Sequence, residues 1–376
     1  MTDPGFDIIV YGATGFTGEL VCRYLASRTS ADRPVNWAMA GRDRAKLDRL
    51  RQSLGLSDLP LVVADAADAG SIKKMVSATK IVLTTVGPYQ KYGTPLVQAC
   101  AEAGTDYIDL CGEPLWMRRM IEEYEDAARR SGARILFSCG FDSIPSELGV
   151  WFCQQQAIKT FGKTMPRVRS RVREFVGGPS GGSVASGASQ MQLVASDPAL
   201  SAILADPFAL TPGFSGPDHP SDQTYETESD IGAVGPFMLG PTDSKNVHRS
   251  NLLMGHPYGK DFMFDEKMVG AVPPSAPPPS PDQLPQPGEG PRLDLAAGRF
   301  DILFIGEDAD RREVRVAVTG SRDPGYLTTS IMMSETALCL LADRALTGGI
   351  WTPGAAFRGD LVQRLEKYAS MRFRVE

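Results

Sequence analysis

Three glycines, Gly12, Gly15 and Gly18, stand three residues apart in the stretch DIIVYGATGFTG at 7–18, with hydroxyls at Thr14 and Thr17 between them. Residues of these types at this spacing suit the holding of a phosphate. The first glycine takes backbone angles closed to other residues, the second lets a pyrophosphate reach the main chain, and the third lets a helix pack close on the preceding strand. The turn Gly12-Ala13-Thr14-Gly15-Phe16-Thr17-Gly18 then offers the N–H groups of a first helical turn to an anion, with the helix dipole behind them. The spacing is not the strict G-x-G-x-x-G, so the reading rests on context. An apolar run, FDIIVY, precedes the turn, and Phe16, Leu20, Val21, Tyr24 and Leu25 share one face of a helix after it.

The next informative position follows the second apolar run. A site for NAD places Asp or Glu there to accept hydrogen bonds from the ribose 2′-OH. This chain has Gly41-Arg42-Asp43-Arg44 instead. A guanidinium fork at Arg42 suits a 2′-phosphate, so NADP(H) is the expected cofactor, and Asp43 reads as the cap of the following helix. Asp65, past the third run, is expected near the adenine. Val86, Gly87 and Pro88, past the fourth, are expected near the nicotinamide-side ribose.

Groups that could act on a substrate are sparser. Tyr89 and Tyr92 follow the fourth run, where a phenol could donate a proton or orient a carbonyl, or simply pack. Asp142 and Ser143 follow the sixth run. Either could touch cofactor or substrate, while Ser143 equally suits a helix cap with Pro145 in the first turn and Glu147 nearby. Arg167, Arg169, Arg171 and Arg173 alternate along what reads as one half-solvated antiparallel strand. They form either a surface for an acidic substrate or that strand's wet face. An apolar slot could instead draw on Met191, Leu193, Phe208, Phe237, Met238 and Met263, which could equally be core. Cys111 reads as core or pocket lining.

The elements that must position these groups alternate in type. FDIIVY, WAMAG, LPLVVAD, KIVLTTVG, TDYIDL and ARILFS are strand-like runs separated by amphipathic segments. Six strands in that series predict a parallel, doubly wound α/β sheet with helices on both faces. After residue 150 the texture changes. A helix is expected over IPSELGVWFCQQQAIKTF, then the Arg-rich strand, a flexible Gly/Ser-rich stretch and a helix around 185–205. Residues 206–260 show no clear pattern. The proline-dense stretch 270–291 reads as an exposed linker or mobile loop, RFDILFIGED and REVRVAVTGSRD as a hairpin, and two helices, near 327–346 and 357–368, close the chain.

Composition narrows the functional class. Hydrophobic residues at 42% and charged residues at 22% are those of a globular protein, and a net charge of −6 gives no electrostatic reason to bind nucleic acid. The six cysteines form no C-x-x-C pair, and three histidines are too few for a His-based metal centre, which needs roughly three or four clustered ligands; no metal is expected. The chain shows no leader-like segment and no apolar run near the roughly 18 residues of a membrane span, so a cytoplasmic location is expected.

Three longer stretches carry a resemblance: VGPYQKYGTPLVQACAEAGTDYIDLCGEP at 86–114, CGFDSIPSELG at 139–149 and GGIWTPGAAF at 348–357. With the GATGFTG turn and the AGR step, they resemble the saccharopine dehydrogenase-like oxidoreductases, which include the mycobacterial trans-acting enoyl reductases and the vertebrate saccharopine dehydrogenase-like protein. The resemblance implies an NADP-binding Rossmann domain over 1–150, an inserted α+β substrate or cap domain over 151–325, and a C-terminal segment, 326–376, whose helices pack back on the first domain. It implies NADPH-dependent reduction of an enoyl double bond on a lipid or acyl chain, or, as in saccharopine reductases, of an imine in amino-acid metabolism. A non-catalytic NADP-binding sensor or scaffold is the reading from another class. The expected partner is a small-molecule or lipid-type substrate, with no transmembrane segment; peripheral membrane contact and a homo-oligomer stay open.

Overall fold

In the computed structural model, residues 5–29, 35–274 and 280–376 are described. The strands, in chain order, are β1 (Phe6–Tyr11), β2 (Trp37–Gly41), β3 (Leu61–Val63), β4 (Thr79–Thr84), β5 (Asp106–Ile108), β6 (Arg134–Leu136) and β7 (Arg167–Val176). They continue with β8 (Glu226–Glu228), β9 (Gly232–Pro236), β10 (Met263–Val269), β11 (Arg299–Glu307), β12 (Glu313–Gly320), β13 (Gly349–Trp351) and β14 (Met371–Val375).

The first sheet runs β13-β6-β5-β4-β1-β2-β3, with every neighbouring pair parallel. The order reverses between β1 and β4, which leaves a crevice at the carboxyl ends of those strands. Alternation along each strand divides its side chains between two cores. Ile8, Val10, Met39, Ile81 and Leu83 face one; Ile9, Tyr11, Ala38, Ala40 and Val82 face the other. Near-continuous apolar strands are what burial on both faces demands, so the alternating sequence pattern of helices and strands is realised as a doubly wound sheet. The seventh strand was not expected. GIW is only three residues long and contributes through Gly349 N–H, which donates to Ala133 O at 2.9 Å.

The second sheet is mixed, in the order β14-β12-β11-β7-β10-β9-β8; only the β7–β10 pair is parallel. The helix Ile144–Phe161 lies across it, close enough that a Cβ on Gly149 would meet the Phe304 ring at 2.2 Å. The expected hairpin is β11–β12. The last strand, β14, extends this second sheet, while the helix Thr329–Ala342 packs on Phe16–Thr29 beside the first. Glu335 joins that pair of helices, accepting from Tyr24 Oη at 2.5 Å and from Arg28 Nε at 2.9 Å.

Several expectations change. The Arg-rich segment is an inner strand with a parallel neighbour, not a half-solvated antiparallel one. The Gly/Ser-rich stretch enters the helix Gly181–Ser196 directly, because Ser180 Oγ caps it by accepting from Ser183 N–H. The patternless region holds the helix Gly240–Leu253, whose buried face is mostly polar and so gave no apolar period. Of the proline-dense stretch, 275–279 lie outside the described residues. Residues 282–290 are mostly exposed, as expected, but touch the fold at points: Gly181 N–H donates to Glu289 O at 3.1 Å, and a Cβ on Gly290 would stand 2.5 Å from the Phe16 ring.

Candidate functional site

At the end of β1 the chain turns through Gly12, whose φ is +88°, a conformation that favours glycine. Gly12 and Ala13 N–H donate to Ala40 O at 3.0 and 3.2 Å, and Gly12 O accepts from Gly15 N–H at 3.0 Å and Thr85 Oγ1 at 3.2 Å. A Cβ on Gly18 would lie 2.1 Å from Gly12 O, so only glycine lets the helix Phe16–Thr29 come this close. Thr14 and Gly15 are exposed, and Phe16 and Thr17 are half-buried. The N–H groups of Phe16, Thr17 and Gly18 open a helix, where no intrahelical carbonyl reaches them. The cradle fits a dinucleotide pyrophosphate: it offers donors and space that a side chain would fill.

The other residues expected to bind the cofactor lie at or just past the carboxyl ends of β2, β3 and β4. Gly41 ends β2; Arg42 beyond it is exposed and joins no ion pair among the described residues. Asp43 caps the next helix, accepting from Lys46 N–H at 3.0 Å. Asp65 accepts from Ala67 N–H at 3.0 Å. The Tyr11 hydroxyl is pushed up to about 12, first by burial and then by the charge of Asp65, with Arg42 pulling the other way. Tyr11, Asp65 and Arg42 therefore sense one another at one corner. Across the crevice, Val86 lies against Gly12, where a Cβ would meet Val86 Cγ2 at 2.8 Å, Gly87 is exposed and Pro88 is buried.

The three residues expected to act on substrate part company. Tyr89 is buried with its ring against Trp116, centroids 5.4 Å apart, and its hydroxyl accepts from Leu110 N–H at 3.4 Å. Burial, helped by Asp109 and Cys111, holds that hydroxyl well above its usual range. Ser143 is buried and sits at a helix start, but its hydroxyl donates to Glu147 and makes no cap bond. Glu147, pushed up to about 7 by burial, also accepts from Gly354 N–H at 2.9 Å and so knits three helices together. Asp142 differs. It is half-buried, its carboxylate accepts no hydrogen bond among the described residues, and burial pushes it up to about 6.

A model of the saccharopine dehydrogenase NADP-binding domain matches residues 8–136. A Mycobacterium tuberculosis protein named as a trans-acting enoyl reductase is 35% identical over 97% of this chain and 96% of its own length. The trans-acting enoyl reductase of Mycobacterium ulcerans is 34% identical over 96% of this chain and 95% of its own. This chain belongs to the saccharopine dehydrogenase-like oxidoreductases. Among solved structures, saccharopine dehydrogenase (L-Glu forming) from Saccharomyces cerevisiae shares the fold at 11% identity, with a TM-score of 0.58, 99% of this chain and 100% of that one covered. Homospermidine synthase from Legionella pneumophila, in complex with NAD, has the same score at 10% identity, with 99% of this chain and 91% of that one covered. The cofactor class is NADP(H), and the chain is an oxidoreductase.

In this saccharopine dehydrogenase-like chain, the site also holds residues that sequence reasoning passed over. Tyr326 lies in a turn, Pro324–Thr328, that Asp323 caps by accepting from Tyr326 and Leu327 N–H at 2.7 and 3.0 Å. Its ring packs edge-on against Phe16 of the glycine turn, centroids 5.3 Å apart. Its hydroxyl meets Ser180 N–H and Ser183 Oγ, the latter at 3.0 Å. A helix was expected only from about 327, and no local signal says that this tyrosine, just before it, crosses to Phe16. Ser186, from the same helix as Ser183, donates to Glu113 Oε1 at 2.7 Å, and Glu113 in turn accepts from Tyr89 and Gln90 N–H.

The arginines of β7 are not open to a ligand. Arg171 is fully buried, with Glu228 at 2.5 Å and Asp265 at 2.7 Å; Arg169 meets Glu228 at 2.9 Å and Asp230 at 3.1 Å. Arg167 pairs with Asp265 and Glu307, and Arg173 with Asp301 and Glu376. The wet face is therefore a closed ion-pair layer. Nor do the apolar residues expected to form a slot converge. Met191 and Met238 are exposed, and Phe208 packs on His248 at 4.4 Å. Phe237 instead ends a line of rings, Phe300–Phe141–Phe175–Phe237, with neighbouring centroids 4.8, 5.5 and 5.4 Å apart. Phe141, the second ring of that line, immediately precedes Asp142 in the chain, and the line is part of the buried core.

Proposed function

We propose that this chain is an enoyl reductase, which uses NADPH to reduce the C=C bond of a lipid or acyl-type substrate. The observation that carries the reading is that the cations of β7 are already neutralised by carboxylates of the same sheet and its turns. A substrate with several carboxylates, as an imine of amino-acid metabolism would have, needs unpaired cations and finds none on β7 among the described residues. An acyl chain conjugated to one carbonyl needs apolar cover and a few polar groups. The names of the relatives point the same way.

In this reading the first 150 residues hold the cofactor, 151–325 cover the substrate, and 326–376 complete both. Gly12 to Gly18 grip the pyrophosphate, Gly41 and Arg42 the 2′-phosphate side, Asp65 the adenine edge, and Val86 to Pro88 back the nicotinamide ribose. Bound NADPH supplies the hydride. Asp142 faces the reacting end of the substrate, while Tyr89 and Ser143 support the framework. The test follows NADPH absorbance with an α,β-unsaturated acyl thioester and, separately, with aldehyde plus amino-acid pairs. Oxidation with the thioester alone supports the reading. Oxidation with the second panel alone overturns it in favour of imine reduction, and tight NADPH binding without turnover of either favours a sensor.

A further inference from the structure

The proton that must accompany a hydride needs a donor at the site and a route for its replacement. We infer that Tyr326 is that donor and that Ser183 resupplies it from water. The inference rests on the enoyl-reductase reading. Tyr326 is 4% exposed, yet its hydroxyl is 3.0 Å from the hydroxyl of Ser183, which is exposed to solvent. Two hydroxyls thus span the distance from bulk water to a buried phenol. The phenol ring touches Phe16, in the turn assigned to the cofactor, and so belongs to the cofactor side of the crevice.

The surroundings suit transient loss of a proton. Ser180 N–H donates to the phenol oxygen, and a fixed backbone donor stabilises the phenolate as it forms. Burial first, and the charge of Asp142 as a lesser contribution, raise the hydroxyl above its usual range, so the phenolate recaptures a proton rather than persisting. Asp323 lies on the same turn; its Oδ2 accepts from the N–H groups of Tyr326 and Leu327, while its buried Oδ1 has no hydrogen-bond partner among the described residues.

The step balances. The β-carbon of the enoyl group takes a hydride from the reduced nicotinamide, and the π pair moves toward the carbonyl as an enolate. The Tyr326 O–H bond breaks as the α-carbon–hydrogen bond forms. The phenolate then takes the Ser183 proton, and Ser183 takes one from water. The net products are the saturated acyl group, the oxidised nicotinamide and hydroxide.

The probe is the crotonyl thioester of N-acetylcysteamine with NADPH. Tyr326→Phe is expected to lower kcat by at least about 100-fold while NADPH Kd stays within about twofold, as loss of a general acid does. Ser183→Ala is expected to lower kcat by about 5-fold and to enlarge the solvent deuterium isotope effect, as a slowed proton resupply does. A readout without turnover is the Cζ signal of Tyr326 in 13C-tyrosine-labelled protein, assigned by its absence in Tyr326→Phe, which should move when NADP+ binds. If Tyr326→Phe cannot be purified folded, Ser183→Ala, at an exposed position, decides by its kinetics and by the tyrosine signal it shifts. An active wild type with unimpaired Tyr326→Phe or Ser183→Ala overturns the inference alone, as does a signal indifferent to NADP+ or parallel loss of kcat and NADPH affinity. A wild type silent on the thioester overturns the inference together with the reading beneath it.

Discussion

Arginine does opposite work on the two sheets. Beyond β2, Arg42 stands exposed at the crevice with no ion-pair partner among the described residues. Along β7, Arg169 and Arg171 are buried, and carboxylates from β8, its following turn and β10 take up their donors. The difference lies in the neighbours, not in the residue. A cation is available to a ligand only where the fold brings no carboxylate to it, and where it does, the pair becomes structure. Two arginine sites that look equally chemical in sequence thus separate into an exposed, unpaired cation and a fastener.

Breaking the fastener should give the largest effect. Arg171→Met removes the fully buried cation between Glu228 and Asp265, leaving each carboxylate only its outer partner, Arg169 and Arg167 respectively. Removing one partner of a buried pair costs about 3–5 kcal/mol. Thermal or urea unfolding should register that loss, with NADPH affinity of the folded fraction unchanged; a stability change below about 1 kcal/mol would mean the pair is solvated and the contrast with Arg42 is false. Next comes the glycine turn, which depends on close approach rather than charge. Gly18→Ala puts a Cβ against Gly12 O, and overpacking of this kind costs about 1–3 kcal/mol. The helix must shift from the strand, so NADPH binding, measured by fluorescence, should weaken at least about 30-fold, roughly the affinity equivalent of 2 kcal/mol.

How far these features could be read from the sequence follows from how local they are. The glycine turn, the six leading strands and the Asp43 cap are set by residues within a few positions of one another, so periodicity and turn chemistry reach them. The ion-pair layer is not local: Arg171 is 57 residues from Glu228 and 94 from Asp265. The alternation of arginines was visible, but its partners were not, and wet face and binding face were the only readings left. The helix Gly240–Leu253 was hidden for a related reason. Its buried positions include Asp243, Lys245, Asn246, His248 and Arg249, whose partners come from elsewhere in the fold, so hydrophobic periodicity had nothing to detect. Tyr326 shows the same limit, because its contacts are with Phe16 and Ser183, far away in the chain.

The recognition side of the comparison has its own test. Arg42→Ala should weaken NADPH binding by about 10- to 100-fold, as loss of a charge-assisted bond worth about 1.5–3 kcal/mol would, and leave NADH binding and the melting temperature almost unchanged. Equal losses for both cofactors would show that Arg42 supports the turn instead of reading the 2′-phosphate. A fall in melting temperature like that of Arg171→Met would erase the distinction between the two arginine sites.

The smallest expected effect comes from an unpaired acid at the meeting of the two regions. Asp142 has no arginine and no hydrogen-bond donor among the described residues, and burial raises it from 3.8 to about 6. A carboxyl raised on folding holds its proton more tightly in the native state, so native Asp142 carries no penalty below about pH 4, loses stability between about pH 4 and 6, and bears the full cost above. Asp142→Asn removes the ionisation. The variant should match the wild type near pH 4 and exceed it above pH 6 by about 1–2 kcal/mol, a shift of two units discounted for partial solvent access. Urea unfolding across that pH range measures the divergence directly. A variant less stable than wild type at neutral pH would mean that Asp142 does have a partner, a cation or a fixed donor. The contrast between paired and unpaired charge would then run along β7 and β2 but not through the site between them.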